Sequence, residues 1–126
     1  MTNTDVGVRI DRMMMYVNDL KRSVSFYTTL GLAVATEDDE VVRLTDSAGT
    51  TLVLHVVENE WESVGRGLRL YFATADAEAT VARLLSAHPE ATLLQPVQLM
   101  AWGRRHGYLL DPDGWEISVY EPDGSA

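Results

Sequence analysis

Three histidines and a pair of aspartates are the side chains best suited to acid–base or metal chemistry in this sequence. His55, His88 and His106 are widely separated, whereas Asp111 and Asp113 stand together in the tetrapeptide Asp-Pro-Asp-Gly. Paired carboxylates can act as a general acid and a general base. However, Pro after the first Asp and Gly after the second are typical of a tight turn. The turn explains both aspartates, so we predict a structural role for them.

Each histidine has a structural interpretation beside a chemical one. His88 precedes Pro89 at a helix end, where its side chain would interact favourably with the helix dipole. His106 follows two arginines, and a solvated side chain is favoured over a catalytic base. His55 is interpreted as a cavity residue, with metal ligation as the alternative. The sequence contains no cysteine, HExxH motif, phosphate-binding glycine loop or serine nucleophile elbow, which excludes the corresponding chemistries.

The composition is that of one globular domain covering residues 1–126, with 46% hydrophobic and 23% charged residues. The net charge of −9 argues against nucleic acid as a partner, because phosphate binding needs clustered Lys and Arg. It favours a neutral or cationic small molecule, although an acidic surface also serves solubility alone. The sequence has neither an apolar run long enough for a membrane span nor signal-peptide features, so we expect no membrane partner and a cytoplasmic location.

An internal repeat indicates how the chain positions these side chains. The turn at Asp111 is matched by an earlier turn at Asp46, at an offset of 65 residues. Upstream of each turn, an apolar strand leads to an aspartate suited to cap a helix, Asp19 in the first half and Asp76 in the second. We therefore predict two similar modules, at about 9–57 and about 68–121, joined by a loop at 58–67.

Each module is predicted to consist of one strand, one helix and three further strands, which is an α+β organisation. Helical spacing of apolar residues follows both aspartate caps, and Gly31 and Pro89 end the two helices. The predicted strands, from period-two alternation and turn residues, are 9–17, 32–36, 41–45 and 51–57 in the first module and 70–74, 93–97, 99–102, 107–110 and 115–120 in the second. The second module thus contains one additional short segment, 99–102.

The alternation also predicts which side chains line a cavity between the modules. Tyr16, Tyr71 and Tyr120 lie on the faces turned away from the helices, where they either contact a ligand or pack on the sheet. Arg12 and Arg69 lie on the same faces, and they either bind an anionic group of the ligand or pair with an internal carboxylate. Trp61, in the loop between the modules, is interpreted as a lid over the cavity or as a dimer contact.

The order and spacing of several short motifs resemble the vicinal oxygen chelate superfamily, which includes glyoxalase I, ring-cleaving dioxygenases and bleomycin resistance proteins. The resemblance implies paired βαβββ modules whose curved mixed sheets enclose a cleft, completed in a homodimer by exchange of modules. The motifs that carry it are Val17-Asn18-Asp19-Leu20, Ser25-Phe26-Tyr27, Leu30-Gly31-Leu32, Trp102-Gly103-Arg104 and Asp111-Pro112-Asp113-Gly114.

The same resemblance places the metal-ligand positions of the enzymes at Arg12, Val53, Arg69 and Ser118. None of these side chains suits a divalent ion, so we expect neither metal nor cofactor. In lacking these metal ligands, the sequence resembles the bleomycin resistance branch of the superfamily. This resemblance implies that Trp102 stacks on a flat ligand. We therefore predict a non-enzymatic, metal-independent protein that sequesters an antibiotic or another partly aromatic metabolite. The alternative is a lyase, isomerase or dioxygenase with an unorthodox or absent metal site.

Overall fold

A computed structural model of the protein describes residues 11–58, 64–66 and 68–122. Trp61, assigned from the sequence to a lid or dimer contact, lies outside the described residues. The elements, in chain order, are β1 (Arg12–Val17), α1 (Leu20–Leu30), β2 (Ala33–Glu37), β3 (Val41–Thr45), β4 (Thr51–Val56), β5 (Arg69–Ala73), α2 (Ala77–Ala87), β6 (Thr92–Leu99), β7 (Arg105–Leu110) and β8 (Glu116–Tyr120).

The strands form two four-stranded mixed sheets with equivalent topology. Sheet 1 has the order β1-β4-β3-β2, and sheet 2 has the order β5-β8-β7-β6. The first strand of each half runs parallel to the last, and the remaining pairs are antiparallel. The predicted α+β fold of two repeated strand-helix-strand units is therefore confirmed. Among the described residues, no helix is long and apolar enough to cross a membrane.

Both helices begin at the aspartates that the sequence indicated. The Asp19 carboxylate accepts a hydrogen bond from the Arg22 backbone N–H at 3.1 Å, and the Asp76 carboxylate accepts one from the Ala79 N–H at 3.0 Å. Each bond satisfies one of the amide groups that a helix start leaves unpaired. Gly31 ends α1 with a φ of 134°, a conformation that a side chain would disfavour.

Alternation along the first strand of each half separates a buried face from an open one. Met15 and Val17 are buried against the helices, whereas Met14 between them is 47% exposed. In β5, Leu70 is buried and Tyr71 is 57% exposed. The predicted facing of the strands is therefore correct. We call the exposed sides, which carry Met14 in sheet 1 and Tyr71 in sheet 2, the open faces.

The turn between β7 and β8 connects the second half of the chain to helix α1. The Asp113 carboxylate accepts hydrogen bonds from the Asn18 Nδ2, Arg22 Nη2 and Ser23 Oγ atoms, each at 3.0 Å. The Tyr27 hydroxyl donates to the Asp111 carboxylate at 2.6 Å. The turn role predicted for the two aspartates is correct, because Asp111 also accepts backbone N–H groups within the turn, but both additionally hold the halves together.

Two local predictions need correction. The segment from Leu99 to Trp102 is not a strand, because β6 ends at Leu99 and the chain then turns between Met100 and Arg104. His88 does terminate α2, but its side chain is buried against α1. Its Nε2 atom lies 3.3 Å from the Ser25 Oγ atom, so the side chain joins the two helices.

Candidate functional site

Four aromatic side chains come together on the open face of sheet 2, namely Tyr71, Trp102, His106 and Tyr120, which we call the aromatic cluster. The His106 ring centroid lies 5.6 Å from that of Trp102 and 6.1 Å from that of Tyr71. The Tyr120 centroid lies 6.1 Å from Tyr71 and 6.3 Å from Trp102. These separations lie in the range of favourable aromatic pairs, so the four rings form one continuous surface.

Strand register and one turn bring these rings together. His106 and Tyr120 are directly paired on β7 and β8, and Tyr71 lies on β5, on the other side of β8. Trp102 comes from the turn between β6 and β7, where Gly103 adopts a φ of 89°. Of the predicted ligand contacts, Tyr71, Tyr120 and Trp102 are therefore neighbours. Trp102 is 52% exposed, so its ring is accessible to a small molecule.

His106 is the residue of this cluster whose predicted environment is wrong. Its side chain was expected to be solvated, but the residue is only 6% exposed. The Gln95 amide nitrogen lies 3.2 Å from the His106 Nδ1 atom and donates to the His106 backbone oxygen at the same distance. Burial, with a smaller contribution from the positive charge of Arg69, lowers the pKa of His106. The imidazole is therefore uncharged at neutral pH.

Ser118 lies beneath the cluster and is fully buried. It is paired with Tyr71 across β5 and β8, and with Tyr108 on β7. The Ser118 Oγ and His106 Nε2 atoms are both buried without a hydrogen-bond partner among the described residues. A buried polar group left unpaired costs about 1–3 kcal/mol, so each of these two atoms is expected to pair with a water molecule or with a ligand.

Arg69 is engaged by internal groups, which is the structural alternative considered for it. Its guanidinium Nη2 and Nε atoms each lie 3.0 Å from the Glu116 Oε1 atom. The guanidinium carbon is 3.9 Å from the centre of the Tyr108 ring, a cation–π contact. Arg12 is exposed and forms a 3.2 Å ion pair with its neighbour Asp11. Both arginines still place positive charge on the open faces.

Tyr16 and His55 belong to sheet 1 and lie outside the aromatic cluster. They are paired across β1 and β4 with ring centroids 6.0 Å apart. The His55 Nδ1 atom is 2.7 Å from the Val56 carbonyl, and its Nε2 atom is 3.6 Å from the Glu58 carboxylate. Together with Arg12 on β1, the open face of sheet 1 thus carries three of the predicted ligand contacts. The other predicted contacts within the described residues belong to sheet 2 or to the turn before β7.

The residues at the metal-ligand positions do not fit a divalent ion. Arg12 and Arg69 are permanently charged cations without a lone pair to donate, and Val53 has no donor atom. Ser118 offers a single neutral hydroxyl, and a site of this kind needs several anionic or imidazole ligands. Within residues 11–58, 64–66 and 68–122, no group of three or more His, Cys, Asp or Glu side chains could hold a metal ion.

Two cavities adjoin different parts of the fold. One of about 390 Å³ runs beside β5 and is lined by Tyr71 and Tyr120 together with Leu32, Asp46 and Ser47. We call it the β5 groove, and it extends the accessible space next to the aromatic cluster. A second cavity of about 480 Å³ lies between α1 and the turn joining β2 to β3. It contains none of the cluster residues.

The chain is similar to known proteins in sequence profile and in fold, although no curated protein matches it. An Agrobacterium tumefaciens protein of unknown function has 29% identity and a TM-score of 0.74, over 94% of this chain and 97% of that one. A glyoxalase-related enzyme from Fulvimarina pelagi has 21% identity and a TM-score of 0.76, over 90% and 88%. A glyoxalase/bleomycin resistance protein from Albidiferax ferrireducens has 23% identity and a TM-score of 0.71, over 89% and 97%. The profile of the Glyoxalase/Bleomycin resistance protein/Dioxygenase superfamily matches residues 9–119, and the chain belongs to that superfamily.

Proposed function

We propose that this protein binds a flat, partly aromatic small molecule without a metal ion, and that it acts by sequestering that molecule. An antibiotic or another aromatic metabolite is the class of ligand. The observation that carries the proposal is the exposed aromatic cluster on the open face of sheet 2. In it, Trp102 is 52% and Tyr71 57% exposed, and the buried His106 Nε2 and Ser118 Oγ atoms lack hydrogen-bond partners among the described residues.

The physical basis of binding is the removal of exposed aromatic surface from water. Large aromatic side chains held together in solvent leave apolar area exposed, and a planar ligand would remove that area from water at about 25 cal/mol per Å². Stacking adds about 0.5–1.5 kcal/mol for each well-placed ring pair. Asp46 in the β5 groove places a carboxylate beside the cluster, which suits a ligand with a cationic or hydrogen-bonding substituent.

Metal independence is supported by the chemistry of the four positions that would hold an ion. Two guanidinium groups, an alkyl group and one hydroxyl supply neither the negative charge nor the lone pairs that a divalent cation needs. Elemental analysis of protein purified without chelators tests this part of the proposal. Stoichiometric nickel, zinc, manganese or iron would overturn it and would favour a metal-dependent lyase, isomerase or dioxygenase.

The experiment for binding follows the Trp102 environment while planar compounds are added. Candidates from a panel of aromatic antibiotics and simple heteroaromatic compounds are expected to perturb tryptophan fluorescence and the Trp102 indole N–H signal in NMR spectra. Trp102→Ala should abolish the response. Leu99→Ala is the matched control, because Leu99 is 61% exposed at the end of β6 but is not part of the aromatic cluster. Absence of any response across the panel would refute sequestration of a flat ligand.

A further inference from the structure

The His106 Nε2 and Ser118 Oγ atoms, which have no hydrogen-bond partner within the part of the chain that the structure describes, specify more about the ligand than its flat shape. His106 and Ser118 lie on neighbouring antiparallel strands, with Tyr120 paired to His106 and Tyr108 paired to Ser118. Alternation along β7 and β8 therefore places both side chains on the open face of sheet 2. Both residues are more than nine-tenths buried, so bulk water reaches neither group freely.

The Gln95 amide determines which nitrogen of His106 carries the proton. The Gln95 Nε2 group also donates to the backbone oxygen of His106, which identifies it as the NH₂ end of the amide. The same NH₂ group lies 3.2 Å from the His106 Nδ1 atom and also donates to the Met100 Sδ atom at 3.4 Å. An amide nitrogen cannot accept a hydrogen bond, so a proton on Nδ1 would face the NH₂ protons. The single proton of the uncharged imidazole is therefore favoured on the Nε2 atom. Since Nδ1 faces Gln95 on β6, the Nε2–H group is directed away from β6.

We infer that the ligand carries a hydrogen-bond acceptor, such as a carbonyl oxygen or a ring nitrogen, at the edge of its planar ring system. Because both atoms are buried in the free protein, the exposed Trp102 or Tyr71 ring must move aside to admit the ligand edge. The Nε2–H group of His106 then donates to the acceptor, and the Ser118 hydroxyl forms a second polar contact. This inference rests on the proposed function, because it assumes that the aromatic cluster receives a flat molecule. It adds the class of functional group that the site selects.

The hydrogen-bonding capacity of His106 favours an acceptor over a donor or a cation at this point. The Arg69 guanidinium acts electrostatically on His106, but Glu116 pairs with that guanidinium at 3.0 Å, so the preference rests on the donor group itself. An uncharged imidazole fixed in the Nε2–H form offers a hydrogen-bond donor at Nε2, and its lone pair, on Nδ1, faces Gln95. A ligand edge with partial negative charge therefore satisfies the buried group, whereas a cationic edge would leave it unpaired.

The test compares two probes of the same shape that differ only in the acceptor. Quinoline carries one ring nitrogen that naphthalene lacks, and at about pH 8 both probes and a typical histidine are uncharged. The dissociation constants of both are measured on wild-type protein and on His106→Phe, through the Trp102 indole signal. The ratio of the quinoline constant to the naphthalene constant is expected to rise about three- to tenfold in His106→Phe, the loss of one hydrogen bond.

Each outcome separates the inference from the proposed function. If both probes bind and the ratio is unchanged by His106→Phe, the acceptor requirement is wrong and the binding of flat molecules still stands. If neither probe perturbs Trp102, the proposed function fails with the inference. The two probes are compared within each variant, so any change that weakens both equally cancels from the ratio of their dissociation constants. The ratio therefore reports only the interaction with the ring nitrogen.

A measurement on the wild-type protein decides the question if His106→Phe does not fold. Two-bond proton–nitrogen correlation spectra identify which imidazole nitrogen carries the proton. The free protein should show the Nε2–H form of His106, and quinoline, but not naphthalene, should shift the Nε2 resonance. A proton on the Nδ1 atom, or equal shifts with both probes, would overturn the inference.

Discussion

Tyr27 and Asp111 form a short buried hydrogen bond whose loss should be measurable. Burial raises the pKa of Asp111, and the Tyr27 hydroxyl and two backbone N–H groups oppose that shift. Tyr27→Phe leaves a buried carboxylate oxygen without its donor and is expected to cost about 1–3 kcal/mol of unfolding free energy at pH 7. Urea denaturation measures this directly, since the substitution removes only the hydroxyl.

The pH dependence of the destabilisation in Tyr27→Phe tests whether Asp111 is responsible for it. Without the hydroxyl, the folded-state pKa of Asp111 rises further. A carboxyl group whose pKa is higher in the folded than in the unfolded state lowers the unfolding free energy as the pH increases between the two values. Below the ordinary value of 3.8, the carboxyl group is protonated in both folded and unfolded states. The difference between wild type and Tyr27→Phe should therefore shrink in acid. An equal difference at pH 3 and pH 7 would show that Asp111 is not the partner that matters.

His106 should make the protein less stable as the pH falls. Burial first, and the charge of Arg69 second, lower its pKa from 6.5, so the unfolded chain binds a proton that the folded chain does not. Unfolding free energy is then unaffected by this group well above pH 6.5 and decreases as the pH falls towards the folded-state pKa. Denaturation curves between pH 8 and 5 should show a smaller decrease in His106→Phe than in wild type.

The roles of residues within local motifs were predictable from the sequence, whereas their contacts with distant residues were not. Asp113 was assigned to a turn because Pro and Gly surround it, and that part is correct. Its bonds to Asn18 and Ser23 span 95 and 90 residues, and no local pattern encodes them. The burial of His106 depends in the same way on Tyr71 and Trp102, which approach from β5 and from the turn after β6.

At the scale of elements, the turn that carries Trp102 can be tested through its glycine. Gly103 has a φ of 89°, and an added Cβ atom would meet no atom of the described residues within 4 Å. Gly103→Ala therefore introduces mainly backbone strain, about 1 kcal/mol, and should displace Trp102 and weaken ligand binding. Gly49 in the turn before β4 is the matched control, since it has a φ of 86° and the same open surroundings among those residues.

Thermal denaturation should show a comparable loss of stability in Gly103→Ala and Gly49→Ala. Ligand titration should show weaker binding only in Gly103→Ala. Equal binding in both variants would mean that the turn conformation does not position Trp102. The strand predicted at 99–102 does not form. The reversal at Met100 depends on a positive φ at Gly103, which composition alone does not reveal.

At the scale of the whole molecule, the two halves are joined through the helices and the turn before β8. The Trp115 indole N–H donates to the Tyr16 backbone oxygen at 2.9 Å, and the Arg83 Nε atom donates to the Thr29 backbone oxygen at 3.0 Å. These contacts stabilise the arrangement of the halves but leave Met14 and Tyr71 about half exposed on the open faces. We expect a second copy of the chain to cover them, giving twice 14.0 kDa by light scattering.

Mixing two defective variants determines whether a binding site combines faces from one chain or from two. Met14→Arg alters the open face of sheet 1, and Trp102→Ala alters that of sheet 2. If a binding site uses both faces, each variant alone loses binding. If a site joins sheet 1 of one chain to sheet 2 of the other, a mixed dimer contains one site with both faces intact. Random exchange of subunits should then restore about a quarter of the wild-type sites. If both faces come from the same chain, every site in the mixture retains a defect, and titration will detect no recovery even though the dimer mass is unchanged.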